Sequence, residues 1–345
     1  AATNRLARNV RRIAHLDLPG GGQVVVQDGY AYVGHMKPPY GTTILDVKDP
    51  KNPRIVAEIR LDDDYSHTHK VRVAGDLMVT NVEQNRRHFL RKGERLPALR
   101  AELGPDASDA KLAAALGVEP AQVAELEAAR QRGYHDGGFK VWDISDKTKP
   151  RLLCHQRTHG FGTHRFDMDE NYAYISTEME GYLGNILVIY DLKDPARPQE
   201  VSRWWMPGQW IGGGETPTWK GRHHRCHHPI RQGNRLYVSY WHGGFVILDI
   251  EDMAKPRLVS GLDWSPPFIT PTHTALPVPF PIQGRRLMVV ADEDVAKLAP
   301  GPPSFLWLVD ITDETHPMPF ASFQVAGVDG SLASRMIGTA AEGRV

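Results

Sequence analysis

Residues 172–198 read YAYISTEMEGYLGNILVIYDLKDPARP. Two β-branched or aromatic runs, YAYIS and ILVIY, flank a glycine-bearing connection; the second ends in Asp191, an apolar residue and a polar turn closing on Pro198. Such runs bounded by turn formers describe paired strands rather than a helix. The same ending recurs in GTTILDVKDPKNP (41–53), GFKVWDISDKTKP (138–150), GFVILDIEDMAKP (244–256) and FLWLVDITDETHP (305–317). Aligned on the first Asp, the copies fall at Asp46, Asp143, Asp191, Asp249 and Asp310, at intervals of 97, 48, 58 and 61 residues. A period near fifty residues, carried by β runs and turns, predicts an all-β fold, a β-propeller of four-stranded repeats. Five repeats are recognisable, forming either a five-bladed ring or a truncated six- or seven-bladed one. The repeated Asp pairs suit Asx turns into each fourth strand and are read as scaffold, not as acid and base.

The 345 residues carry 41 Lys and Arg against 41 Asp and Glu. A balanced charge excludes binding of nucleic acid or an anionic membrane by bulk electrostatics. No apolar run approaches the roughly 20 residues of a membrane helix, so a soluble globular protein is expected. Cys154 and Cys226 form no CxxC pair, which leaves no disulfide framework or thiolate zinc site and points to the cytoplasm. The start AATNRLARNVRR lacks an initiator Met, and the expectation becomes periplasmic if that start is a processed one. The 32 Gly and 26 Pro are accounted for by turns; the 16 His call for chemistry.

The whole of 1–345 reads as a single propeller domain, interrupted in its second repeat by 86–133, rich in Ala, Leu, Glu and Arg. LPALRAEL and AQVAELEAARQRG have helical propensity and spacing, so the segment is expected to be a helical insertion serving as a lid or a homo-oligomer contact. KLAAALGVEPAQV has helix-turn-helix spacing, but Glu119, Glu125 and Glu127 occupy the helix that would read DNA, and nucleic acid is not expected as a partner.

The chemical signal lies at the start of each repeat's first strand. HTHKVRVAGDLMV (67–79), GTHRFDMDENYAYI (162–175), RCHHPIRQGNRLYV (225–238) and PTHTALPVPFPIQGRRLMV (271–289) align His69, His164, His227 and His273. In a propeller these positions are related by rotation about the axis, so four imidazoles would face one channel as metal ligands. Adopting His228 instead of His227 is the alternative alignment. An all-nitrogen shell suits a divalent transition metal, Fe first, then Zn, Mn or Cu, and disfavours Ca or Mg. Glu83, Glu178 and Glu293 follow second strands and are candidates to orient the imidazoles; Glu83 or Glu178 is also the candidate general base. A second set, His35, His135 and His242, sits in loops opening on the same face; His135 and His242 are candidates for proton transfer, His35 for substrate binding. Trp210 and Trp241 would provide apolar walls, with Trp219 nearby, and Arg165 would bind a substrate carboxylate, as would Arg222 or Arg225. The dense tract around His223 and His224, and His67, are left without a role.

In YAYVGH…GTTILDVKDPKNP and NYAYISTE…ILVIYDLKDPARP the chain resembles the LVIVD-repeat family, over roughly residues 22–324. That resemblance implies a propeller scaffold and no particular activity. Four His with outer Glu are similar in geometry alone to the iron site of carotenoid-cleaving dioxygenases, which are also propellers. The sequence has no phosphate loop, dinucleotide fingerprint, nucleophile elbow or HExxH motif. The expected function is that of a metal-dependent enzyme acting on a small organic substrate, aromatic or carboxylate-bearing, by oxygenation, lyase or hydrolytic chemistry. The alternative is a non-catalytic scaffold or ligand-binding propeller with structural histidines.

Overall fold

A computed structural model describes residues 10–219, 224–265, 268, 271–293 and 304–323. The first sheet runs β1 (Gly21–Gln27), β2 (Tyr30–His35), β3 (Tyr40–Asp46) and β4 (Arg54–Arg60) in sequential antiparallel order. The second comprises β5 (Ser66–His67) and β6 (Val71–Ala74), both paired with β7 (Leu77–Gln84), then β8 (Gly138–Asp143) and β9 (Arg151–Arg157). The third is β10 (His159–Met168), β11 (Tyr172–Glu178), β12 (Asn185–Asp191) and β13 (Gln199–Trp204); a bridge from Gly162 to Glu83 joins it to the second. The fourth is β14 (Arg225–Gln232), β15 (Arg235–Trp241), β16 (Phe245–Asp249) and β17 (Arg257–Leu262). The last is β18 (Thr272–Pro277), β19 (Leu287–Asp292), β20 (Leu306–Asp310) and β21 (Met318–Phe323).

Sequential neighbours pair, most of them across short, turn-rich connections, while β7 and β8 pair across a long helical insertion. Asp46, Asp143, Asp191, Asp249 and Asp310 each accept the backbone N–H two residues on, at 2.7–3.0 Å. Asp49, Asp146, Asp194, Asp252 and Asp313 repeat the bond at 2.9–3.3 Å. These are Asx turns, and their recurrence in all five sheets is why the sequence repeat is visible.

Neighbouring sheets bury their faces against each other. Tyr32 and Ile44 meet Val71, Met78 and Trp142 between the first and second sheets. Val79, Phe139 and Val141 meet Phe166, Ile175 and Val188 between the second and third. Tyr174, Leu187 and Ile189 meet Leu236, Val238 and Leu248, and Tyr237, Phe245 and Ile247 meet Met288, Val290 and Val309. Successive first strands lie side by side, β1 with β6, β6 with β10, β10 with β14 and β14 with β18. The result is a propeller-like all-β body with the first strands innermost.

The segment after β7 folds into α1 (Arg87–Leu90), α2 (Leu96–Leu103), α3 (Asp109–Leu116) and α4 (Val123–Arg132). Leu96, Leu99, Leu112, Leu116, Val123 and Leu126 form a separate apolar core within it. The insertion is a self-packed module, anchored where α1 leaves the inner end of β7.

Candidate metal centre

Bulges set the direction of the inner histidines. Pairing of β10 with β11 steps from Thr163 opposite Thr177 to Arg165 opposite Ser176, leaving His164 out of register. β14 skips His227 between Cys226 and His228, and β18 skips His273 between Thr272 and Thr274. His69 lies in the gap between β5 and β6. An extra residue in one strand has no partner, and the local twist re-aims its side chain. In the first sheet the register shift spans Gly22; a Cβ there would lie 2.7 Å from the His69 carbonyl oxygen, so glycine lets the backbones meet.

The imidazoles consequently form an arc. Ring centroids are 5.6 Å apart for His69 and His164, 5.0 Å for His164 and His227, and 4.5 Å for His227 and His273. His227 Nδ1 donates to the His273 carbonyl oxygen at 2.6 Å, which leaves its Nε2 a lone pair. That Nε2 faces His164 Nε2 at 3.1 Å. His164 Nδ1 lies 3.1 Å from the Glu83 carboxylate; a proton shared there leaves His164 Nε2 a lone pair as well. Two lone pairs facing at this distance repel unless a cation stands between them. His69 Nδ1 is buried with no hydrogen-bond partner among the described residues. The donor set therefore fits a metal ion.

Glu83 is the hub of the arc. Wholly buried, it touches His67 Nε2 at 2.9 Å, His164, and the Arg87 guanidinium, with His69 Nδ1 at 3.9 Å. The ligand atoms of His67, His69 and Glu83 lie within 4.8 Å of one another, and so do those of His227, His273 and Glu293. His67 belongs to the site by the alternation of an extended chain: in HTH the two histidines, two apart, share a face. The two-residue spacing of His67 and His69 is the sequence signal for it.

Burial holds these rings neutral. It pushes His67 down to about 4 and His273 to about 3, and His69, His164, His227 and His228 well below the usual imidazole range. Neutral imidazole is the form that ligates. Cations surround the cluster: burial brings Lys70 to about 7, Arg87 to about 9, and Arg165 and Arg225 to about 10. Burial also raises the Glu293 carboxyl.

The helical insertion reaches this site with two arginines. Arg87 contacts Glu83 and approaches His164 Nδ1 at 3.1 Å; Arg91 pairs with Glu178. Both guanidinium groups pack on the Phe161 ring, at 4.5 and 4.1 Å from its centroid. Glu178 also accepts the Phe161 N–H at 3.1 Å, and a Cβ on Gly160, at φ +61°, would overlap that carboxylate. Glu178 is thereby occupied in fastening the insertion to the Gly160–Phe161 turn. Phe161 lines an outer hollow with Arg91, Tyr134 and Gly160, and Arg87 lines an inner cleft, with room for about one water, among His164, His227, Asn185, Arg225 and Trp241.

The other expected residues are distributed differently. Trp241 stacks on His227 at 5.5 Å and carries Arg225 on its face at 4.0 Å. Arg165 Nη2 donates to His273 Nε2 at 2.7 Å, while His273 Nδ1 meets Thr274 Oγ1. His228 turns from the arc toward Arg72, 3.3 Å away, which separates its role from that of His227. His35 is buried with both nitrogens engaged, by the Pro19 carbonyl and Thr43 Oγ1, and does not line the cleft. His135 is exposed. His242, in the left-handed region at φ 56°, packs edge-on to Trp241. Trp210 is 41% exposed and packs with Trp205 and Tyr182, apart from the cleft. Arg222 and His223 lie outside the described residues.

The LVIVD repeat family matches residues 21–59, 167–204 and 232–263, within the first, third and fourth sheets. No curated protein matches the chain. A crystal structure of a protein from Lactobacillus plantarum is similar in fold, with a TM-score of 0.52 and 10% identity over 87% of this chain and 70% of that one. The computationally designed Ika8 protein is 9% identical, with a TM-score of 0.47, and the match covers 88% of this chain and 61% of that chain's length. The chain thus carries LVIVD repeats in three matched segments, on a propeller-like all-β scaffold of repeated four-stranded sheets and Asx turns.

Proposed function

We propose that this protein is a metal-dependent enzyme for a small organic substrate, with a divalent transition-metal ion held between His164 and His227 and completed from His69, Glu83 and their neighbours. The observation that carries the reading is the pair of Nε2 atoms facing at 3.1 Å, one of them fixed as a lone pair by the His273 carbonyl. Such an ion, Fe first, then Zn, Mn or Cu, supplies a Lewis acid or redox centre for oxygenation, lyase or hydrolytic chemistry. The chain's own groups keep the imidazoles neutral by burial, orient His164 and His67 through Glu83, and shut out water with Arg87 and Phe161. In this reading the insertion is a lid, and the five sheets are blades around the channel that the imidazoles face.

The competing reading has its own observation. If Arg87 donates to His164 Nδ1, then His164 Nε2 carries a proton toward His227 and the pair is satisfied without an ion, as in a non-catalytic scaffold. Elemental mass spectrometry of tag-free protein, beside His164→Ala and His227→Ala, separates the two. About one transition-metal ion per chain, lost in both variants, is the expected result. A metal-free wild type reconstituted by none of Fe, Zn, Mn or Cu, or metal retained by both variants, overturns the metal reading.

A further inference from the structure

The donors around the channel sort into two sets. His67, His69 and Glu83 bring their ligand atoms within 4.8 Å of one another, and His227, His273 and Glu293 do the same. Each set is two imidazoles and one carboxylate, the donor combination of open iron and zinc sites. His164 stands between the sets, with Nε2 facing His227 at 3.1 Å and Nδ1 facing the Glu83 carboxylate at 3.1 Å. An ion between His164 and His227 has His273, Glu293 and Glu83 to draw on, which leaves His67 and His69 over.

The fold builds this remainder into the interior. Pairing of β5 with β7 sets His67 directly opposite Glu83, and His69, two residues on, returns to the same side of the chain. Glu83 is wholly buried and His69 is 4% exposed. His69 Nδ1 has no hydrogen-bond partner among the described residues and lies 3.9 Å from Glu83 Oε2, too far for a hydrogen bond. A metal ion, at about 2.0–2.2 Å from nitrogen and from oxygen, spans such a gap. His67 Nε2 reaches the same oxygen at 2.9 Å. A neutral imidazole has one N–H, and the Met36 backbone carbonyl and Glu83 both call on that of His67. The cations facing the set are Arg87, in contact with Glu83, and Lys70. Both repel a further positive charge, so an ion here is held more weakly than one between His164 and His227.

We infer that His67, His69 and Glu83 form a second position for a divalent transition-metal ion, Zn, Fe or Mn, beside the one between His164 and His227, with the Glu83 carboxylate bordering both. Arg87 gives up Glu83 to that ion and keeps its seat on the Phe161 ring, 4.5 Å from the centroid. The inference rests on the metal reading in that it makes the centre a two-ion one; the second position has its own ligands and is counted separately.

Titration of chelator-stripped full-length protein with Zn²⁺, in competition with a chromophoric chelator, tests it. The wild type should take up about two Zn²⁺ per chain, the second more weakly than the first. His67→Phe and Glu83→Gln should each weaken the second ion by more than the roughly hundredfold that loss of a merely orienting partner costs, and His67→Phe should keep the first. Arg87→Met, which removes the competing cation, should tighten the second ion by about tenfold or more. His316→Asn, at an exposed turn, and His223→Asn, in the histidine-dense tract, should change neither count. Circular dichroism of each variant checks folding. A single ion in both the wild type and Arg87→Met, or a second ion retained by folded His67→Phe and Glu83→Gln, overturns the inference. One ion lost in His164→Ala and His227→Ala, with no second, sinks this assignment and spares the centre between those histidines; one ion lost only in His67→Phe and Glu83→Gln does the reverse.

Discussion

The outer and inner ends of the same sheets treat repetition in opposite ways. At the outer turns the same Asp makes the same bond to the same backbone position in all five sheets. At the inner ends an equally regular position, the bulge of the first strand, holds histidine in three sheets, the β5–β6 gap holds a fourth, and glycine fills the remaining shift. Each of those histidines has different partners: Glu83 and Arg87 for His164, a carbonyl for His227, Arg165 and Thr274 for His273. A turn that does one local job is satisfied by local groups and is copied. A site needs unlike groups converging on one point, and a symmetric scaffold gives that only by varying what stands at equivalent positions.

The largest loss of stability is expected at Glu83. Replacement by Leu would strip the charge partner from Arg87 and the acceptor from His67 and His164 in a buried place. Removing one member of a buried pair costs about 3–5 kcal/mol, so Glu83→Leu should lower the urea midpoint by far more than any outer-turn substitution. Adding Arg87→Met should recover much of the loss. A loss as small as that of an outer Asp would mean that the inner ends are scaffold too.

Acid sharpens the same contrast. The unfolded chain takes protons on histidine as pH falls through about 6.5, while burial keeps the folded His67 unprotonated down to about 4. Its folded pKa is depressed, so the stability it preserves is present above 6.5 and is lost as pH falls toward 4, about 3 kcal/mol for this one group at the lower end. His69, His164, His227 and His228 act in the same direction. The outer carboxylates respond later: the Ser145 N–H, aided by Arg151, holds Asp143 near 2, so its contribution fades only as pH drops from the ordinary carboxylate range toward 2. Denaturation midpoints measured from pH 8 to 3 should therefore fall steeply between 6.5 and 4. A flat profile there would place the imidazoles in water.

How legible each end was follows from its chemistry. Asp191, with Asp194 and Pro198, forms a motif within eight residues, and five copies of a local motif show themselves in a linear chain. The aligned His69, His164, His227 and His273 were legible for the same reason, because each begins a repeat. The bulges were not, since a bulge exists only between two strands and changes where a side chain points without changing its position in the repeat. Arg87 and Arg91 sit in a stretch whose composition indicates helix and nothing more; their use appears when the insertion is folded back on Phe161. His35 aligned well by loop position, yet its nitrogens close on Pro19 and Thr43, as a buried polar ring must when no ligand is at hand.

The smallest effects test the outer end. Asp46→Ala, Asp143→Ala, Asp191→Ala, Asp249→Ala and Asp310→Ala each remove one Asx bond at an exposed turn, and the flanking basic partners, Arg54, Arg151 and Arg257 among them, are solvated enough to add little. Each should lower Tm by about 1–2 °C, and the corresponding Asn variants, which keep the accepting oxygen, by less. The informative quantity is the spread. Five nearly equal shifts at the outer turns, set against unequal losses for His69→Ala, His164→Ala, His227→Ala and His273→Ala, are what one copied device and one assembled site should give. Equal losses in both series would mean that the histidines, like the aspartates, serve the blades one at a time.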